Sequence, residues 1–345
     1  MHELDLHGLV PWALKRGGSI HPLILPPELT NETGLMNPSI FIKDGTPLVN
    51  IRHVNYTLYH SEGKKFNHTW GPLVYVHPEN DVTLRTHNVM CHLDDDMNIL
   101  HASRIDMTFD TGEPTWTFIG LEDGRLFEWD NRLFLCGVRR DCYDDKGTGR
   151  MEMAEIDFVD GQWKEISRNP IPAPPPDKTY CEKNWMPILD MPWHFVKWCN
   201  PTEVVKYNIE DQTTETVELD QEKCDSDVKR DHRGGSQVVR ITPEHRMAFV
   251  HEVDLFKDQF GRKDGHYVHR ILIWDNDWNV IKKSREFTFF GYQTNRTTGN
   301  EFVIEFTTGL AFHKGYALIS FGLQDNACYV LKIPQDTFTE LLENA

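Results

Sequence analysis

Glu122, Asp123 and Arg125 stand almost side by side in the stretch LEDGRLFEWDNRLFLCGVRRD, Leu121 to Asp141. Adjacent carboxyl groups beside a guanidinium suit chemistry at a glycosidic bond. One carboxyl donates or accepts a proton at the bridging oxygen, and fixed charge stabilises the oxocarbenium-like centre. Close carboxylates also raise one another's pKa, which keeps one of them protonated as an acid. Glu182, Glu252 and Glu305 supply more carboxyl groups than the reaction requires. Arg125, Arg139 and Arg233 could clamp phosphate or a sugar nucleotide in bidentate fashion. Trp185, within Glu182-Lys183-Asn184-Trp185, could stack on a sugar ring. Each feature also has a plainer reading. Glu122, Asp123 and Arg125 could form ion pairs between neighbouring structural units, Arg139 and Arg140 could cap strand ends, and Trp185 could lie in the core.

Similar polar openings recur along the chain. Asn37-Pro38-Ser39-Ile40 opens a strand pair ending in Arg52 and Asn55, and Glu182 to Trp185 opens one ending in Asn200-Pro201. Arg233-Gly234-Gly235-Ser236 opens one ending in His251-Glu252, and Glu305-Phe306 precedes one ending in Ser320 to Asp325. Between them, short β-rich runs are broken by turn signals at Lys43-Asp44-Gly45, Asp94-Asp95-Asp96, Asp130-Asn131, Asp160-Gly161 and Glu210-Asp211. That is the rhythm of antiparallel meanders. Only TFTELLENA at the C-terminus has a helical pattern.

Five such units predict an all-β, five-bladed β-propeller with a central ligand channel, in which radial repetition hides the edge strands. A large β-sandwich would accommodate the strands but not explain the repeated polar openings. In a propeller the first strand of each blade lines the channel, so Asn37, Glu122, Glu182, Arg233 and Glu305 are expected at one mouth. The predicted organisation is a lead-in segment over 1–36 packing on the propeller, the propeller over 37–335, and a short tail over 336–345.

Gly234-Gly235 permits close approach of backbone or ligand but is not a phosphate loop, because no helix follows it. His251, His266 and His269 lack a metal-ligand spacing and read as structural histidines. Asp94-Asp95-Asp96 reads as a hairpin turn rather than an acidic metal motif. No metal is therefore expected.

The formal charge of −17 over 345 residues disfavours a nucleic-acid partner, since no stripe of Lys and Arg offsets it. No apolar run approaches a membrane span, and MHELDLHGLVPW lacks the regions of a signal peptide. Seven cysteines without metal-like spacing read as reduced thiols in a cytoplasmic protein, which leaves the sequons at Asn31, Asn55, Asn67 and Asn295 without a role.

The pieces NPSI and IRHVNY, EDGRLFEWDNRLFLCGVRRD, EKNWMPI, RGGSQVV with FVHEV and YVHRILIWD, and IEFTTGLAFHKGYALISFGLQDNACYVLKI, taken in order, resemble a known family. It comprises the five-bladed β-propellers related to mannoside phosphorylases and arabinanase-like glycosidases. The likeness is greatest to propellers found beside or fused to glycosyltransferases in glycan assembly, and covers roughly residues 37–333. Gly124 stands where the phosphorylase motif commonly has proline. The resemblance implies a sugar-binding channel with Asp123 as proton donor, and phosphate-holding counterparts in Arg52, Arg125 and Lys183.

The candidate catalytic residues are thus Asp123, Glu182 and Glu305. The candidate substrate-binding residues are Asn37, Arg52, Asn55, Glu122, Arg125, Lys183, Asn184, Trp185, Arg233, His251, Glu252, His269 and Asp325. The expected ligand is a carbohydrate or sugar nucleotide, with a nucleotide-sugar donor or inorganic phosphate as co-substrate and other glycan-assembly enzymes as associates. A glycosyltransferase is the favoured activity, a hydrolase or phosphorylase of the same fold the alternative, and a non-catalytic glycan-binding propeller the third reading.

Overall fold

The computed structural model describes residues 8–31, 33–56, 64–68, 71–75, 83–110, 113–176, 179–225, 231–257, 263–291 and 304–344. They form a five-bladed β-propeller, each blade an antiparallel meander laid down from the inside outwards. Blade one comprises Leu35–Lys43, Thr46–Val54, Leu84–Leu93 and Ile99–Arg104, with a hairpin of Lys64–His68 and Gly71–Tyr75 inserted after its second strand. Blade two comprises Glu122–Trp129, Arg132–Arg139, Arg150–Val159 and Gln162–Ile171. Blade three comprises Met186–Pro187, His194–Cys199, Thr202–Asn208 and Thr213–Leu219. In blade four, Arg233–Gly234 and Val239–Thr242 both pair with His245–Lys257, followed by Lys263–Trp274 and Val280–Lys283.

Blade five is composite. Glu305–His313, Tyr316–Leu323 and Ala327–Pro334 come from the C-terminal end of the chain, while the outermost strand, Ser19–Pro22, comes from the N-terminal end. Ser19 pairs with Lys332 and Pro22 with Tyr329. Part of the segment preceding Asn37 therefore belongs to the ring and closes it. Two short helices, Leu9–Leu14 and Pro27–Thr30, flank this strand, and Gln335–Asn344 forms the C-terminal helix.

The turn residues act as the chain pattern requires. Asp44-Gly45, Asp130-Asn131 and Asp160-Gly161 hold positive φ at both central positions, the backbone of the tight hairpin turns whose twist matches the strands. The Asp94 carboxylate accepts the backbone N–H groups of Asp96 and Asn98 at 2.9 and 2.8 Å. Asp95 then reaches His313 at 2.9 Å and Lys314 at 2.6 Å. The acidic turn thereby latches blade one to blade five.

The core is a ring of separate apolar clusters, one in each gap between blades. Leu48, Met90, Leu126 and Leu135 fill the gap between blades one and two. Phe127, Trp129, Phe134, Trp185 and Phe195 fill the next, and Met186, Val196, Ala248, Leu272 and Trp274 the one after. Between blades four and five, Phe249, Ile271, Phe289, Leu310 and Phe321 are joined by Leu9, Trp12, Phe338 and Leu341 from the terminal helices. Ile40, Ile51, Val89, Leu318 and Val330 close the last gap, with Leu23 and Leu25. At the centre, Gln237 donates to Leu126 O at 2.6 Å and Ile40 O at 3.1 Å, and accepts from Leu310 N at 2.9 Å. One buried amide thus bolts blades one, two and five to blade four, and with Ser39 it fills the axis beneath the mouth where the inner strands begin. No helix among the described residues is long and apolar enough to cross a membrane.

Candidate functional site

The repeated polar opening is a repeated backbone device. Asn37, Asp123 and Asn184 occupy matching places at the start of the inner strands of blades one, two and three, with φ of 50°, 56° and 65°. Asn and Asp tolerate this left-handed region best among residues with a Cβ. Strand register slips between Met36 and Ser39, and again between Cys136 and Val138 opposite the Asp123 turn. Such bulges re-aim side chains. In blade four the opening is Gly234-Gly235, and a Cβ on Gly234 would collide with Asn184 O. That glycine is required for the approach of two blades.

Arg52 organises the mouth. Its guanidinium donates to Asp123 Oδ1 at 2.7 Å, Glu122 Oε2 at 2.9 Å, Thr86 Oγ1 at 3.0 Å and Tyr56 OH at 3.3 Å. Asn37 Nδ2 donates to the same Asp123 oxygen at 2.5 Å. Burial by itself would raise the Asp123 carboxyl, but Arg52, Arg125 and Lys183 outweigh it and hold the group below its ordinary value. Asp123 is therefore a carboxylate at neutral pH. Glu122 goes the other way: burial pushes its carboxyl up against the pull of Arg52, and its Oε1 is buried without a partner. Asp325, half-buried at the blade-five side, is raised to about 6 by burial, with Asp123 adding to the effect. One mouth thus holds a carboxyl kept below its ordinary value beside two that burial raises above theirs.

Two cations, Lys183 and Arg233, and the neutral His251 come from blades three and four. Lys183 is exposed, and its charge reaches Glu122, Asp123, Asp325 and His251. Arg233 pairs with Asp231 at 3.3 Å and lies over Trp198, while its Nε is buried without a partner. His251 stacks on Tyr267 and meets the Phe306 ring edge-on, with Nδ1 also buried and unpartnered. Burial, reinforced by His269, Lys183, Arg125 and Arg233, holds its imidazole neutral.

Other candidates take up structural positions. Arg125 is fully buried and spends its donors on Gly235 O at 3.0 Å, Asp123 O at 2.9 Å, Gly234 O at 3.2 Å and Asn184 Oδ1 at 3.2 Å. It rivets blade two to blades three and four. Burial lowers its pKa to about 10. Trp185 has no exposed surface and donates to Glu182 Oε2 at 3.0 Å. Its ring lies among the apolar side chains between blades two and three, with no face open to a sugar. Glu252 points to the other side of its strand from His251, where His232 at 2.9 Å and Arg270 hold it; these partners overcome burial and lower it to about 2. Glu305 accepts from Phe289 N at 2.5 Å and Phe290 N at 2.9 Å, fully buried, and burial raises it to about 7. His269 is buried beside Phe289. Asn55 clasps the base of the excursion after blade one's second strand, donating to Thr83 O at 3.2 Å and accepting from Arg85 N at 2.7 Å.

Tyr56, Thr86, Tyr267 and Gln237 were not legible as site or channel residues. Tyr56 carried a usable signal, since it follows Arg52 closely in the same opening; the others reach the centre only through strand pairing. Among the described residues, no group of three or more His, Cys, Asp or Glu side chains could hold a metal ion.

No family model matches the sequence, and no curated protein matches it. Solved structures do match. A candidate glycoside hydrolase from Parabacteroides distasonis superposes with a TM-score of 0.58 at 12% identity, over 88% of this chain and 87% of that one. A glycosyl hydrolase from Bacteroides ovatus gives 0.54 at 13%, over 88% and 85%. A member of a family of mannoside phosphorylases containing glycoside hydrolases that target β-1,2 mannosidic linkages in Candida mannan gives 0.54 at 12%, over 88% and 85%. The chain shares the five-bladed propeller of these carbohydrate-active proteins.

Proposed function

We propose that this chain is a carbohydrate-active enzyme that transfers a glycosyl group at the mouth organised by Arg52. The observation that carries the proposal is the convergence there of Glu122 and Asp123 from blade two and Asp325 from blade five, together with Lys183, Arg233 and His251 from blades three and four. In transfer from a nucleotide sugar, Asp325 takes the proton of the acceptor hydroxyl as the nucleoside diphosphate leaves; in phosphorolysis it gives a proton to the departing glycosidic oxygen as phosphate attacks the anomeric carbon, and in both ionised Asp123 stabilises positive charge on the sugar. Environments that drive neighbouring carboxyl groups apart in pKa are the arrangement such chemistry uses. The two cations hold an anionic group, either inorganic phosphate or the phosphates of a nucleotide sugar. Hydrolysis needs no such cations, which favours a glycosyltransferase or phosphorylase over a hydrolase. A transferase acting in glycan assembly is the reading adopted. A mannoside is the first sugar to try, given the mannoside phosphorylase family among the proteins of similar fold.

One observation favours a non-catalytic, glycan-binding role: Arg52 and Asn37 both engage the same Asp123 oxygen, as in a structural ion pair. The test is to incubate the protein with a mannoside acceptor and a panel of nucleotide sugars, and separately with β-1,2-mannobiose and inorganic phosphate. Products are followed by chromatography, and sugar binding by calorimetry. The expected result is transfer that Asp325→Asn abolishes while sugar affinity stays within a few-fold. Binding without turnover of any donor would support the non-catalytic reading, and absence of both would refute a carbohydrate role.

A further inference from the structure

Beside the mouth, Arg140 is clamped between two aromatic rings. Its guanidinium lies 5.2 Å from the centre of the Phe118 ring and 5.6 Å from that of Tyr180. Tyr180 is fixed at its tip from both directions: Arg140 Nη2 donates to its hydroxyl at 2.9 Å, and the hydroxyl donates to Lys146 O at 2.7 Å. Its backbone carbonyl accepts from Gly149 N at 3.0 Å. Yet the residue remains 46% exposed. A large ring that is immobilised and still open to solvent has lost its rotamer freedom before any ligand arrives, which is the condition for inexpensive stacking.

Its location joins it to the mouth. Val138, two residues before Arg140, pairs with Glu122, and Glu182, two residues after Tyr180, donates its N–H to the same Gly149 at 3.0 Å. Tyr180 thus stands where blades two and three meet, two residues from the Glu182 opening and bonded through Arg140 to the strand end that pairs with Glu122. Trp185, the aromatic residue that spacing singled out, is buried, so the rim presents Tyr180 in its place.

We propose that Tyr180, backed by Arg140 and Phe118, is an outer stacking subsite that receives a second or third sugar ring of an oligosaccharide whose end lies at Asp123. The inference rests on the carbohydrate reading of the mouth and narrows it: the preferred ligand is an oligosaccharide rather than a monosaccharide. The apolar C–H face of a pyranose packs on the exposed face of the tyrosine, while its hydroxyls remain in water.

The probes are mannose and a β-1,2-linked mannotriose, titrated by calorimetry into the wild-type chain, Tyr180→Ala and Tyr180→Phe. Tyr180→Phe keeps the ring and loses only the bonds at its tip, and thermal melting of each variant is recorded alongside. The expected result is tighter binding of the trisaccharide by wild type, a loss of about tenfold for it in Tyr180→Ala with mannose affinity unchanged, and retention of most affinity in Tyr180→Phe. Equal losses for both sugars, or none for the trisaccharide, would overturn the subsite while leaving the mouth's role intact. A wild-type chain that binds neither sugar would overturn the carbohydrate reading itself, and the subsite with it.

Discussion

Replacing Arg52 with methionine removes the guanidinium that hydrogen-bonds both Glu122 and Asp123, and the cost follows from the contacts. The guanidinium is 4% exposed and bonds Asp123, Glu122, Thr86 and Tyr56. Without it two adjacent carboxyl groups are left in a poorly solvated site. Breaking a buried pair from one side costs about 3–5 kcal/mol. For a chain of 345 residues, unfolding entropy of about 2.1 cal/mol/K per residue makes each kcal/mol worth about 1.4 °C, so Tm should fall by about 4–7 °C. The pH dependence gives a sharper test. In the wild type, Asp123 is held below its ordinary value, so its contribution is present above the unfolded pKa and is lost as pH falls through the folded one. Without Arg52, burial dominates both carboxyls and raises them. The folded state then keeps protons that the unfolded state has released, and stability drops as pH rises. The gap in Tm between wild type and Arg52→Met should therefore widen from about pH 5 to about pH 8. Differential scanning fluorimetry across that range measures it. A gap below about 1 °C at the upper end, or one that narrows with rising pH, would refute Arg52 as the keystone of the mouth.

Gln237→Leu should unsettle the ring without touching the mouth, because Leu126 O and Leu310 N lose their partner at the axis. The cost is about 1–3 kcal/mol for each buried group left unpaired, read as a lower urea midpoint with sugar affinity unchanged; an unshifted midpoint would exclude the amide as the central bolt. Glu305 is raised by burial to about 7, above its unfolded value, so its stabilising share is complete below the unfolded pKa and is lost as pH rises through about 7. Glu305→Gln cannot titrate and should flatten that decline in Tm, and a variant with the wild-type slope would place the titration elsewhere.

The sheets were legible because each hairpin carries its own signal. Asp44-Gly45, Asp130-Asn131 and Asp160-Gly161 specify turns whatever surrounds them, and the alternating runs between them specify strands. The closure was not. Ser19–Pro22 is a short polar-apolar run with no turn of its own, and it becomes a strand only because Ala327–Pro334 offers an unpaired edge. The short helix Leu9–Leu14 likewise gains its meaning from Phe289, whose carbonyl accepts the Val10 N–H at 2.7 Å. An element that depends on a partner some three hundred positions away leaves little local trace.

The same contrast governs the site. Residue types at the openings were visible, since Asn37, Asp123 and Asn184 are the residues a left-handed bulge prefers, and the bulge is what turns the chain into the channel. Charge state was not, because it is set by neighbours from other blades. Motif likeness makes Asp123 the proton donor, yet Arg52 arrives from blade one and keeps it ionised. Asp325, at a hairpin turn of blade five, is the carboxyl of the mouth that burial raises to about 6. A group that moves a proton near neutral pH needs a pKa close to that range, so Asp325 is the proposed proton carrier, and Asp123, held low by Arg52, is proposed to stay charged beside the sugar.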